Sequence, residues 1–236
     1  PQNNTVHAEY YQPAGAGPFP GVVVLHILGG DFTLSQTIAN SLARRRVAAL
    51  FIKMPYYGPR RPAGSSRRMI DRDPDKTVAG MTQAVGDIRR GAAWLGARPE
   101  VDSKQLGVTG ISLGGIMSAL SASAEPRFGK VAIYLGGGKL GEALWAMNEA
   151  KAEAFRREWI AGGGTRQSFI AKLRPVDPVT WAGRIVDRRV LMVNATDDEI
   201  IPRDATMALW NSIEPRPKLV WLKAGHYTAA RYLLGE

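Results

Sequence analysis

The sequence predicts an α/β domain built on a mostly parallel sheet with helices on both faces. Three observations carry this. Several short runs are uniformly apolar, as suits strands buried on both sides. Segments with helical spacing separate those runs. The 236 residues suffice for one large core without a metal or disulfide.

The elements follow in chain order. Val6 to Gln12 reads as an N-terminal strand, and a turn through Gly15, Gly17 and Pro18 follows. Gly21 to Leu25 is a continuous apolar run. Phe32 to Arg46 has helical spacing at Leu34, Ile38 and Leu42. Val47 to Ile52 is a second buried strand. Pro74 to Ala97 is a long helix with apolar positions at Val78, Met81, Val85, Ile88 and Leu95. Leu106 to Thr109, Val131 to Leu135, Val190 to Val193 and Leu219 to Leu222 complete the strands. A last helix begins near Tyr227. One segment, 139–178, interrupts the alternation and is too long for an ordinary connection. It holds a helix over Leu140 to Ile160, the break Gly162-Gly163-Gly164, and a short helix over Gln167 to Leu173. It reads either as a helical insertion or as a small lid, carrying Trp145, Phe155, Trp159 and Phe169.

Composition narrows the chemistry. The chain has no cysteine, which excludes a thiol nucleophile, a thiolate metal site and disulfides, without fixing the compartment. Cytoplasmic is the default, with secretion or a periplasmic site open. No apolar run approaches a membrane span. No signal peptide is visible, and a start at Pro1 is compatible with a leader already removed. The formal charge of +10 raises nucleic-acid binding. The arginines, however, come in scattered pairs and triplets at helix ends and in loops, where a solvated cation is ordinary; no nucleic-acid partner is expected. The exception is Arg60 to Arg68, expected to be a mobile loop which, if it overhangs a cleft, favours anionic substrates.

The most informative motif is Gly110-Ile111-Ser112-Leu113-Gly114. It follows a strand and opens a helix, so Ser112 stands on a tight strand-to-helix turn beside the first free N–H groups of that helix. A serine hydroxyl needs a base, and the base needs an orienting acid. Of the three histidines, only His226 lies beyond both Ser112 and the candidate acids, in the chain order serine, acid, histidine of such sites. His7 lies in the first strand, and His26 ends the second, where it reads as a brace for the following loop, with a base or ligand as the alternative. The acid belongs after Val190 to Val193, where Asp197 and Asp198 compete. Met54 to Pro59 follows a strand end, so Tyr56 and Tyr57 are candidates to line a substrate pocket, with packing as the alternative; Trp145 is a further candidate contact.

These motifs resemble the α/β-hydrolase superfamily and, within it, the dienelactone-hydrolase-like branch. The resemblance spans Phe19 to Tyr227. It is carried by Pro20 to His26, by Pro99 to Gly110, by the D-x-x-x-P pattern from Asp198 to Pro202, and by Ala224-Gly225-His226. It implies the α/β-hydrolase fold and selects Asp198 as the acid. It also implies an oxyanion site at the N–H of Leu113 and one from Ile27 or Leu28, with Leu28 favoured, and it implies no metal or cofactor. Two departures matter: Ser112 stands where the dienelactone hydrolases have cysteine, and Ile27 where they have glutamate after the first histidine. The implied activity is that of a serine esterase on small to medium acyl esters. A sugar-ester deacetylase, a dienelactone-type lactonase, an aminopeptidase-like hydrolase and a silent binding member of the fold are the alternatives. Oligomeric state is left open.

Overall fold

A computed structural model describes residues 2–147, 150–229 and 232. Seven strands form one sheet in the order β1-β3-β2-β4-β5-β6-β7. They are β1 (His7–Tyr11), β2 (Phe19–Leu25), β3 (Ala48–Lys53), β4 (Val101–Ile111), β5 (Phe128–Tyr134), β6 (Arg189–Ala195) and β7 (Lys218–Leu222). Only β1 runs antiparallel, against β3; every other pair is parallel. The strand that carries Ser112 at its end, β4, is the fourth of the seven.

The apolar runs form strands buried on both faces because alternate side chains feed two separate cores. Val23, Leu25, Leu50 and Ile52 join one core, against α2 (Pro74–Gly96), α3 (Leu113–Ala124) and α8 (Arg203–Asn211). Val24, Ala49 and Phe51 join the other, against Ile38, Ala39 and Leu42 of α1 (Thr33–Arg44). This two-residue alternation is the strand geometry itself. Asp73 starts α2 by accepting the backbone N–H of Asp75 at 3.0 Å and of Lys76 at 3.4 Å, with Pro74 in the first turn.

The observed elements differ from expectation in two places, and a third expected element lies mostly outside the described residues. Strand β4 is far longer than Leu106 to Thr109, because its polar stretch Asp102 to Gln105 remains extended on the solvent side. The helix expected over Leu140 to Ile160 is found as α4 (Leu140–Ala146) and α5 (Ala150–Ala161). The final helix expected from Tyr227 falls mostly outside the described residues.

The insertion continues through α6 (Arg166–Leu173) and α7 (Pro178–Trp181). Its aromatic rings pack on one another: Phe169 lies 5.3 Å from Trp145, 5.7 Å from Phe155 and 5.8 Å from Trp159. Asp177 closes its base, accepting the N–H of Leu140 at 2.7 Å and of Val179 at 3.0 Å. Burial pushes the Asp177 carboxyl above its ordinary range. Lys172 ties α6 to Asp75 on α2 at 2.7 Å.

The arginine loop is anchored at Arg60, Arg61 and Arg67. Arg60, expected in a mobile loop that could overhang a cleft, is fully buried. It pairs with Asp87 of α2 at 2.6 Å and donates to the carbonyls of Asn3 and Lys53. Asn3 extends the network, donating to Gln83 at 2.9 Å and accepting the N–H of Tyr56 at 2.9 Å. Arg61 turns back onto the carbonyl of Tyr56, and Arg67 covers the Tyr56 ring and donates to the carbonyl of Lys76. Among the described residues, no helix is long and apolar enough to cross a membrane.

Candidate active site

Ser112 sits between β4 and α3 with φ 56 and ψ −116, where a side chain is rarely tolerated. The motif glycines explain how the turn is built. A Cβ on Gly110 would come within 2.5 Å of the Gly114 backbone, and one on Gly114 within 2.5 Å of the Leu25 carbonyl oxygen. Strand, helix and the end of β2 therefore touch main chain to main chain. The Ser112 N–H donates to the carbonyl of Tyr134 at 2.9 Å, which fixes the turn to the end of β5. The Ser112 hydroxyl does not cap α3. The first amides of that helix, beginning with Leu113, are thus placed beside the serine at the positive end of the helix dipole.

His226 and Asp198 meet Ser112 from the ends of β7 and β6. Nε2 of His226 lies 3.0 Å from Ser112 Oγ. Nδ1 lies 2.9 Å from each Asp198 carboxylate oxygen. The pair is sequestered, with the His226 side chain 8% exposed and that of Asp198 3%. Asp198 is itself held, accepting the N–H of Ile200 at 2.9 Å and of Ile201 at 2.7 Å. Asp197 is exposed and accepts the Thr196 hydroxyl at 3.0 Å, while its N–H donates to the carbonyl of Ala224. Of the two competing aspartates, the geometry brings Asp198 to the ring.

The loop after β2 forms the other wall. His26 is buried, and both ring nitrogens are engaged. Nε2 receives the N–H of Met54 at 3.0 Å, and Nδ1 contacts the carbonyl of Ile27 at 2.8 Å. The first bond makes Nε2 the acceptor, so Nδ1 carries the proton and donates. Burial first, then the nearby Arg60 charge, depresses His26 to about 4, so it stands neutral. In a trans peptide the carbonyl and the next N–H point opposite ways. Holding the Ile27 carbonyl therefore turns the Leu28 N–H away from the His26 ring. Ile27 is half-buried and Leu28 is exposed, on a loop whose first carbonyls lie against Gly114.

The three aromatic candidates make packing contacts. Tyr57 is buried with its ring 4.6 Å from that of His26, and burial pushes its hydroxyl up to about 12. Tyr56 is half-buried beneath Arg67, and Trp145 stacks within the insertion. Among the described residues, no cluster of three or more His, Cys, Asp or Glu side chains is placed to hold a metal ion. One site residue escaped the sequence reading. Glu199 accepts the backbone N–H of His226 at 2.9 Å, and its position next to the D-x-x-x-P aspartate was the available sign.

Comparisons with known proteins agree with this architecture. The model of the family described as "Alpha/beta hydrolase domain containing 18" matches residues 1–134, and that of the "Prolyl oligopeptidase family" matches residues 81–226. Two uncharacterized proteins of Mycobacterium tuberculosis, strains CDC 1551 and H37Rv, are 27% identical over 176 residues. That match covers 73% of this chain and 40% of those proteins, so the aligned region is less than half of their length. Among solved structures, acetyl xylan esterase 1 from Thermoanaerobacterium sp. JW/SL YS485 superposes with a TM-score of 0.75 at 21% identity, over 97% of this chain and 78% of that one. The alpha/beta hydrolase GrgF from Penicillium sp. sh18 superposes with 0.69 at 13%, over 98% and 89%. With both family matches spanning more than half of it, the chain belongs to the α/β-hydrolase superfamily, with Ser112 at the nucleophile position.

Proposed function

We propose that this chain is a serine hydrolase of carboxylic esters, acting on small to medium acyl groups through Ser112, His226 and Asp198. The observation that carries the reading is the unbroken relay from Asp198 to His226 to Ser112, at 2.9 and 3.0 Å, beside an uncapped helix N-terminus. His226 takes the proton of Ser112 as Oγ attacks the ester carbonyl. Asp198 keeps the proton on Nδ1 and stabilises the imidazolium that forms. The oxyanion is received by the N–H of Leu113 and that of Leu28, each such donor being worth roughly 10²–10³ in rate. His226 then returns the proton to the leaving alcohol. Water repeats the cycle on the acyl-enzyme and frees the acid.

The test needs no assumption about the acyl group. The purified chain and Ser112→Ala are treated with a fluorophosphonate and their intact masses compared. One adduct, absent from the variant, supports an activated Ser112; a folded chain that takes no adduct overturns the reading. Ser112→Ala should also lower ester turnover by about 10⁶.

A sugar-ester deacetylase is the second reading, favoured by the likeness to two acetyl xylan esterases. An ester panel with acetylated sugars beside simple acyl esters separates the two. A peptide substrate in the same panel tests the reading suggested by the prolyl oligopeptidase match.

A further inference from the structure

We propose that Glu199 is a positioning residue for His226, holding its backbone so that the imidazole stays between Asp198 and Ser112. This rests on the triad reading above. His226 lies in a turn, where no strand or helix fixes its peptide plane. Three consecutive residues of the β6 loop grip two residues of the β7 loop, Ala224 and His226. The Asp197 N–H donates to the Ala224 carbonyl at 3.0 Å, and Asp198 meets the His226 ring. Glu199 Oε2 accepts the His226 N–H at 2.9 Å. Between the gripped residues stands Gly225, where a Cβ would come within 2.8 Å of Glu199 Oε2. The glycine is what lets the carboxylate reach the peptide. Two neighbouring carboxylates thus divide one histidine, one holding the ring and the other the main chain.

Asp198 and Glu199 face His226 from the β6 loop and Ser112 from the turn before α3, and the Tyr227 ring lies 5.6 Å away. Glu199 is exposed, so its removal leaves no cavity.

The test compares Glu199→Ala and Glu199→Gln in the full chain. It reads kcat and KM on p-nitrophenyl butyrate and the rate of fluorophosphonate labelling. A small misplacement of a reacting group costs about tenfold to a hundredfold. The alanine variant should lose that much kcat and labelling rate, with KM and thermal midpoint nearly unchanged. The glutamine variant, which keeps an acceptor oxygen, should recover to within about threefold of wild type. Wild-type kcat in the alanine variant overturns the proposal, and so does a glutamine variant as slow as alanine. If the wild type itself neither turns over nor labels, the triad reading fails. The positioning role is then decided by ¹⁵N resonances of the histidine rings, of which the chain has three. The His226 signals must shift in Glu199→Ala and return in Glu199→Gln; unchanged signals refute it.

Discussion

Replacing Asp87 by alanine should destabilise the chain by about 3–5 kcal/mol, the usual cost of removing one partner from a buried ion pair. The figure follows from the surroundings of Arg60. Its guanidinium is fully buried, and the Asp87 side chain is 2% exposed. Arg60 also donates to the carbonyls of Asn3, at 2.7 and 3.2 Å, and of Lys53, at 3.0 Å. These bonds survive the substitution, but a carbonyl carries no counter-charge. Arg90 contacts Asp87 from a largely exposed position and adds little. The measurement is equilibrium urea unfolding followed by tryptophan fluorescence. At about 2–4 °C per kcal/mol for a chain of this size, the thermal midpoint should fall by roughly 6–20 °C. Removing both charges together, as Arg60→Met with Asp87→Leu, should cost far less than the single change. An Asp87→Ala loss below about 1 kcal/mol would refute the reasoning, because water must then reach the guanidinium. The loop so anchored contains Met54, whose N–H bonds to His26, so the variant should also lose activity while still folded.

Three further outcomes follow from the site. Asp198→Asn should lower kcat by about 10⁴, since an amide favours the wrong imidazole tautomer, while Asp197→Asn should change it little; the reverse ranking would exchange their roles. Gly114→Ala should abolish most turnover, because the new Cβ meets the Leu25 carbonyl oxygen at 2.5 Å and displaces the loop carrying Leu28; a fully active variant would show that the loop gives way freely. Stability should fall as pH drops from about 6.5 towards 4: the unfolded chain takes up the His26 proton at the higher value and the folded chain only at about 4. That contribution is complete above 6.5 and worth at most about 3 kcal/mol, and urea unfolding at pH 7 and pH 4.5 should find the difference reduced in His26→Phe.

The sheet was legible because its signals are local. Runs such as Val22 to Leu25 and Ala48 to Ile52 can be buried on both faces only in a covered parallel sheet. The Ser112 turn was legible for a similar reason: its glycines, Gly110 and Gly114, four positions apart, report the closeness of the backbones around them. Arg60 was not legible. Its burial depends on Asp87, 27 residues later, and on Asn3, 57 residues earlier, and nothing near Arg60 in the chain marks either partner. The extension of β4 was hidden because Asp102 to Gln105 look like a loop by polarity, yet lie on the solvent side of an extended strand. The aromatics of the insertion were legible as a cluster but not in direction. Only the packing shows that Phe169 is buried among the half-buried rings of Trp145, Phe155 and Trp159.

The site is held chiefly by main chain. Ser112 is tied to Tyr134 by its N–H, Leu135 to Val193, and Asp197 to Ala224, while Gly114 lies against the carbonyls of Leu25 and His26. Each contact joins neighbouring strand ends at the same edge of the sheet, so one residue's place constrains the next. Such over-determination is what allows Ser112 to keep φ 56, a conformation that costs about 1–3 kcal/mol. Side chains enter where the backbone cannot reach: His26 at the Ile27 carbonyl, Asp198 at the ring and Glu199 at the peptide of His226. These are the positions at which a substitution should alter turnover without altering the fold.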